Sequence, residues 1–211
     1  MLRDLIAVES NVRLRAYDRG VLVDERVSHN VLTNIGRNWL RDLVGAITFN
    51  PGVGGAIASP DSRTDERAMY IAFGVGGVLT SDPTLYNGTQ EELTTVSVLE
   101  DYVQILGTPT YMKAAEGQGN GTDSIVGSYA LRFITTILES EISFAGNVSK
   151  SGAAVGTNVP VSEVGLYLSG ADPTKDLDDI LNNARLVAYN QFDPIAVTPN
   201  IVLRVEWELR F

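Results

Sequence analysis

The chain has 211 residues, 26 acidic against 16 basic side chains, a net charge of −10, a single histidine and no cysteine. That length suits one domain, which would bury roughly 70% of its unfolded surface without staples. Disulfides and thiolate metal sites are excluded, imidazole chemistry is confined to His29, and the acidic balance argues against a face-wide nucleic-acid surface.

In chain order, Val12, Leu14 and Ala16 alternate with Arg13, Arg15 and Tyr17, and Val21, Val23 and Val27 continue beyond Asp18-Arg-Gly20. This predicts a hairpin within residues 5–27, with Gly20 free to take positive φ in the turn. A helix is predicted near residues 33–44, capped by Asn30 or Thr33 and ended by Gly45. Ile35, Trp39, Leu40, Leu43 and Val44 share one face of it. Trp39 reads as a core residue rather than a partner anchor, and Gly36 suggests close helix–sheet contact. Residues 46–67 read as a long loop.

Met69–Phe73 is a short apolar strand followed by Gly74-Val-Gly-Gly77. A phosphate-cradling loop would run on into a helix with a further Gly or a Gly-Lys-Ser/Thr, so a turn is the better reading. Residues 82–92 read as loop, with one helical turn near Gln90–Leu93. Tyr102, Val103 and Ile105 carry a β-rich run over 94–106, and Pro109 makes 107–113 an edge segment. Residues 116–123 form a polar loop.

Residues 128–140 alternate as a strand with apolar groups on both faces, which predicts partial cover on both sides by another element or subunit. Residues 141–144 continue it past a kink. Residues 146–160 form a Gly/Ser-rich excursion, either an arm or a loop. Residues 161–169 are a further strand, whose Glu163 reads as hydrogen-bonded or solvent-facing rather than catalytic. Asp172, Asp176, Asp178 and Asp179 lack the spacing of a calcium loop, so 171–184 is an acidic loop or a short helix. A strand over 185–192 and a connector over 193–200 precede the last strand. There Ile201, Leu203, Val205, Trp207, Leu209 and Phe211 alternate with Arg204, Glu206, Glu208 and Arg210.

The pattern predicts an all-β fold: one antiparallel β-sandwich over 1–211, jelly-roll-like, with one packed helix and loop insertions near 46–67, 107–124 and 146–160. No residue is assigned a catalytic, cofactor-binding or metal-binding role, and no cofactor, nucleic-acid or membrane partner is expected. Ser28 and Asn30, the neighbours of His29, look like turn and cap residues rather than parts of a nucleophile relay, and G-x-S-x-G is absent.

Five landmarks occur in order: Asn30-Val-Leu-Thr-Asn-Ile-Gly-Arg-Asn-Trp-Leu-Arg-Asp-Leu-Val44, Tyr70-Ile-Ala-Phe-Gly-Val-Gly76, Val161-Ser-Glu-Val-Gly-Leu-Tyr-Leu168, Leu186-Val-Ala-Tyr-Asn-Gln-Phe-Asp-Pro-Ile195 and Val205-Glu-Trp-Glu-Leu-Arg-Phe211. As a set they resemble a family of small virion structural proteins of tailed bacteriophages. The resemblance spans most of the chain, and its insertions at 46–67, 94–124 and 146–160 are longer than the family pattern. It implies a non-enzymatic virion component, oligomeric, assembled in the host cytoplasm, whose partners are copies of itself and other capsid or tail proteins. Capsid decoration and a tail, baseplate or collar position both remain open. The alternative is a carbohydrate-binding β-sandwich acting in receptor recognition, with Tyr86, Tyr102, Tyr111, Tyr167 or Tyr189 as its aromatic platform.

Overall fold

A computed structural model describes residues 9–39, 68–79, 82–86, 93, 95, 96, 99, 102–105, 110–116, 130–139, 141, 142, 147, 148, 154, 155, 159–169 and 176–210. Thirteen strands are defined among them: β1 Glu9–Asp18, β2 Val21–His29, β3 Val31–Leu32, β4 Ala68–Gly74, β5 Val78–Leu79, β6 Asp82–Tyr86, β7 Met112–Ala114, β8 Ala130–Ile137, β9 Asn147–Val148, β10 Ala154–Val155, β11 Val159–Ser169, β12 Arg185–Val197 and β13 Ile201–Arg210. Helix is found at 34–39, here α1, and at Leu177–Asn183, here α2; Leu93 adds a single helical residue.

The strands form an antiparallel sandwich. One sheet runs β2-β1-β13-β8, and the other β3-β12-β11-β4-β7. The alternation along the last strand places it at the centre of the first sheet, paired with β1 from Asp18↔Ile201 to Glu9↔Arg210 and with β8 on its other side. Leu203, Val205, Trp207 and Leu209 are buried, meeting Val12, Leu14, Phe133 and Ile137 within the same core. The indole Nε1 of Trp207 donates to Ser10 Oγ at 3.1 Å, which satisfies its one polar atom inside that core.

The second sheet is covered on both faces. Ile71, Phe73, Val164 and Leu166 face the first sheet, whereas Tyr70, Ala72, Tyr167, Leu186 and Tyr189 pack under Leu93, Leu99, Tyr102, Tyr111 and Ile180. Leu93, Leu99, Tyr102 and Tyr111, with Ile180 of α2, thus form a third layer. The sequence predicts a β-rich run over 94–106; among its described residues, Tyr102 and Ile105 make isolated bridges, to Gly74 and to Thr110 and Ile142.

The hairpin turns through Arg19 (φ 49°) and Gly20 (φ 78°), the paired left-handed residues that match strand twist. Thr33 caps α1, its Oγ1 accepting from Gly36 N at 3.0 Å and donating to Leu186 O at 2.5 Å. Asn30 instead links β2 to β3. A Cβ on Gly36 would lie 2.0 Å from Val187 O, so the helix sits on β12 only because that side chain is missing. Trp39 packs against the main core. Residues 40–45, the rest of the expected helix, lie outside the described residues, as do 46–67.

Several element boundaries differ from those the sequence predicts: the strand expected over 128–140 ends at Ile137, and β2 runs on to His29. Residues 82–86, expected as loop, pair with β5 as β6. The strand expected to end at 192 continues to Val197, because β12 bulges opposite Ser162 and places Pro194 where no ladder donor is needed. Within 146–160, β9 and β10 form a short ribbon, and 159–160 begin β11.

The two sheets meet along one side. Segment 110–116 pairs with β4 through β7, and then Glu116 and Ile134 exchange backbone hydrogen bonds of 2.5 and 3.3 Å, engaging the outer edge of β8. Lys113 reinforces the seam by donating to Thr136 O and pairing with Glu141, each at 2.7 Å. Phe133, Thr135 and Ile137 of β8 are buried, while Arg132, Ile134 and Thr136 are half-buried, so its second face is only partly covered. On the opposite side the chain steps from β2 directly to β3 and so from one sheet to the other. The second edge of β2 has no strand partner among the described residues.

Candidate interaction surface

Four of the six exposed large hydrophobic side chains among the described residues lie on β2. Val21, Val23 and Val27 are 65%, 55% and 60% exposed, and Leu22 is 47% exposed. A nine-residue strand whose outer backbone groups meet no strand among the described residues, and which bears four solvated aliphatic side chains, is a template for pairing with another strand.

Its backbone direction follows from the hydrogen bond of Asn30 N to Ser10 O, 3.1 Å. Counting back along the register, Ser28 and Arg26 exchange their bonds with β1, whereas Val27 and Glu25 turn theirs outward. A bulge opposite Ala16 and Tyr17 separates Leu22 from Asp24 and tightens the local twist. Asp24 and Arg26 form an ion pair along the strand, and Arg26 Nε has no acceptor among the described residues.

The outer face of the same sheet is a lattice of charges. Glu25 accepts from Arg15 Nε at 2.8 Å, Arg15 also reaches Glu206 at 3.2 Å, and Arg132 pairs with Glu208 at 2.8 Å. The Arg15 hydrogen bond holds the Glu25 carboxyl below its ordinary range, and the Arg15 guanidinium is raised in turn, chiefly by Glu25. Asn11, Arg13, Val27, Arg132, Glu206 and Glu208 line a depression of about 310 Å³ on this face. Exposed pairs of this kind contribute little to folding stability; their value is in solubility and in matching a partner.

The residues weighed for chemistry are placed elsewhere. Glu163 is fully buried on β11, accepting from Tyr189 OH at 2.7 Å and from Gly76 N at 3.2 Å. Gln191 Nε2 donates to Tyr189 OH at 3.0 Å. Glu163 is therefore the hydrogen-bonded structural residue of the two options its sequence left open, and the Gly-rich turn after β4 serves it rather than a phosphate. The hydroxyls of Tyr102 and Tyr167 share a 2.7 Å hydrogen bond, and Leu99 N donates to both, at 3.2 and 3.0 Å. Burial pushes Tyr102 up to about 12 and Tyr167 well above the ordinary phenol value.

Tyr102, Tyr111, Tyr167 and Tyr189 are buried and offer no aromatic platform; the side chain of Tyr86 lies outside the described residues. His29 is exposed at the end of β2, and its neighbour Ser28 accepts a hydrogen bond from Asn190 Nδ2. Both belong to a strand, not to a turn. Asp176 and Asp178 sit at and within α2, the short-helix option for that acidic stretch; Asp172 lies outside the described residues. Among the described residues, no group of three His, Asp or Glu is arranged to hold a metal ion, and no helix is long and apolar enough to cross a membrane.

The open edge escapes a reading of the sequence because β2 alternates no worse than its neighbours. Its one signal is that Val21-Leu-Val23 puts apolar groups on consecutive positions, so one face must carry them into solvent. Comparison with protein-family models, curated proteins and solved structures finds no match.

Proposed function

We propose that this chain is a non-enzymatic structural component of a tailed-bacteriophage virion. It assembles as an oligomer on the particle, as a capsid decoration or as a tail, baseplate or collar protein. The observation that carries the reading is the edge of β2, where four aliphatic side chains are exposed and a row of backbone groups has no strand partner among the described residues. The ordered motifs shared with the virion family support it. So does the use of the candidate acid and tyrosines as buried structural groups. The 94–124 insertion is less favoured as a contact surface, since Leu99, Tyr102, Val103, Ile105, Tyr111 and Met112 fill the chain's own core.

Sizing with light scattering, alone and with capsid or tail proteins, tests the proposal. The expected result is a defined oligomer that co-sediments with particles. A chain that stays monomeric and binds no particle component would overturn it. Immunogold labelling of intact particles would then separate capsid from tail positions.

A further inference from the structure

We infer that the partner on the open edge of β2 is β2 of a second copy, paired antiparallel about a two-fold axis at Glu25. The inference deepens the assembly reading above and shares its surface, but it stands on the strand's own sequence. Val23-Asp-Glu-Arg-Val27 is self-complementary around its centre. With Glu25 opposite Glu25, Asp24 faces Arg26 twice by symmetry, and Val23, the residue at the bulge, comes opposite Val27. Cross-strand pairs of these kinds are the favourable ones in antiparallel sheets.

Neighbouring symmetric registers lose this match. An axis at Asp24 sets aspartate against aspartate and Val23 against Glu25. One at Arg26 sets arginine against arginine and Val27 against Glu25. The axis must fall on a residue, because a two-fold between residues would map a hydrogen-bonded pair onto a non-bonded one.

Three features of the structure fit the axis at Glu25. The outward backbone groups of Glu25 let the two copies exchange a pair of hydrogen bonds at the dyad. Its carboxylate is held by Arg15 at 2.8 Å with Arg13 at 3.7 Å, so the two acids brought together are each already compensated. Arg26, whose Nε finds no acceptor among the described residues, gains the partner copy's aspartate on the same face. The result is a continuous eight-stranded sheet across two copies, with β2 at its centre.

The chain has no cysteine, so single substitutions report the register directly. A doubly bonded pair sets Cα atoms about 5.5 Å apart, inside the disulfide range of roughly 4.4–6.8 Å. Glu25→Cys is therefore expected to give a covalent dimer under mild oxidation. Val27→Cys, whose counterpart lies four residues along the partner strand, is expected to stay monomeric on denaturing gels. Val27→Lys in the cysteine-free chain should weaken association on the order of tenfold by light scattering.

The inference is overturned if Glu25→Cys fails to cross-link while the wild type is monomeric at every concentration. It is equally overturned if Val27→Cys cross-links in place of Glu25→Cys, or if Val27→Lys leaves association unchanged. A cross-linked dimer that binds no particle protein upholds the pairing and removes the virion reading. A monomer that still binds particles does the reverse, and points to a strand from another protein on this edge.

Discussion

β11 and β2 are both long, valine-bearing strands, and the protein treats them in opposite ways. Val159, Val161 and Val164 of β11 are completely buried, whereas Val21, Val23 and Val27 of β2 are each more than half exposed. The difference lies in what surrounds each strand. β11 pairs with β12 and β4 and is roofed on one face by the first sheet and on the other by the third layer. β2 has β1 on one side and, among the described residues, no strand on the other. Fully burying a valine is worth roughly 1.5–3 kcal/mol, so β2 forgoes stabilisation that only a second surface can recover.

Matched substitutions test that contrast most strongly. Leu166→Ala should cost about 2–5 kcal/mol of folding free energy, since it opens a cavity between the sheets. Leu22→Ala should stay within about 0.5 kcal/mol in dilute protein. Urea unfolding of both, at a concentration where the chain is monomeric, checks the pair; equal losses would mean that β2 is covered within the monomer.

Next in size is the roof over β11. Tyr102→Phe removes the hydroxyl shared with Tyr167 and should cost about 1 kcal/mol. The same pair sets an alkaline limit. Burial raises Tyr102 to about 12 and Tyr167 well above 10, so the unfolded chain releases these protons first. Stability is then complete below the ordinary phenol range and falls as pH rises from about 10 through 12. Thermal melts across that range should show the fall, and Tyr102→Phe should shrink it; a flat profile would mean that the phenols are open to water.

Smallest is the contribution of the β2 charges. The Glu25 carboxyl is depressed chiefly by its hydrogen bond with Arg15, so its support is present above the ordinary carboxylate range and is lost as pH falls through the depressed value. Because the pair is exposed, Glu25→Gln should lower stability only slightly, and added salt should erase the difference. A loss that persists in high salt would place Glu25 in a drier setting than its exposure implies.

Much of the fold is legible in local sequence pattern alone. Strict alternation from Leu203 to Leu209 locates a central strand, Asp18-Arg-Gly20 a turn, and Gly36 a contact where backbone meets backbone. What local pattern does not encode is who sits next to whom. The third layer over the second sheet depends on Leu99, Tyr102 and Ile180 converging from segments far apart in sequence. Pro194 reads as a strand terminator until the bulge opposite Ser162 is known. The edge status of β2 is likewise a property of strand order, so valines that look like core from their spacing end up in water.

On the proposed reading, β2 is a surface that takes a partner strand. Amide hydrogen exchange at increasing protein concentration tests it most directly. Exchange at Glu25 and Val27, whose amides point away from β1, should slow markedly as concentration rises, while Val164 stays protected throughout. Fast exchange at Glu25 and Val27 at every concentration, in the free chain and on assembled particles alike, would contradict it.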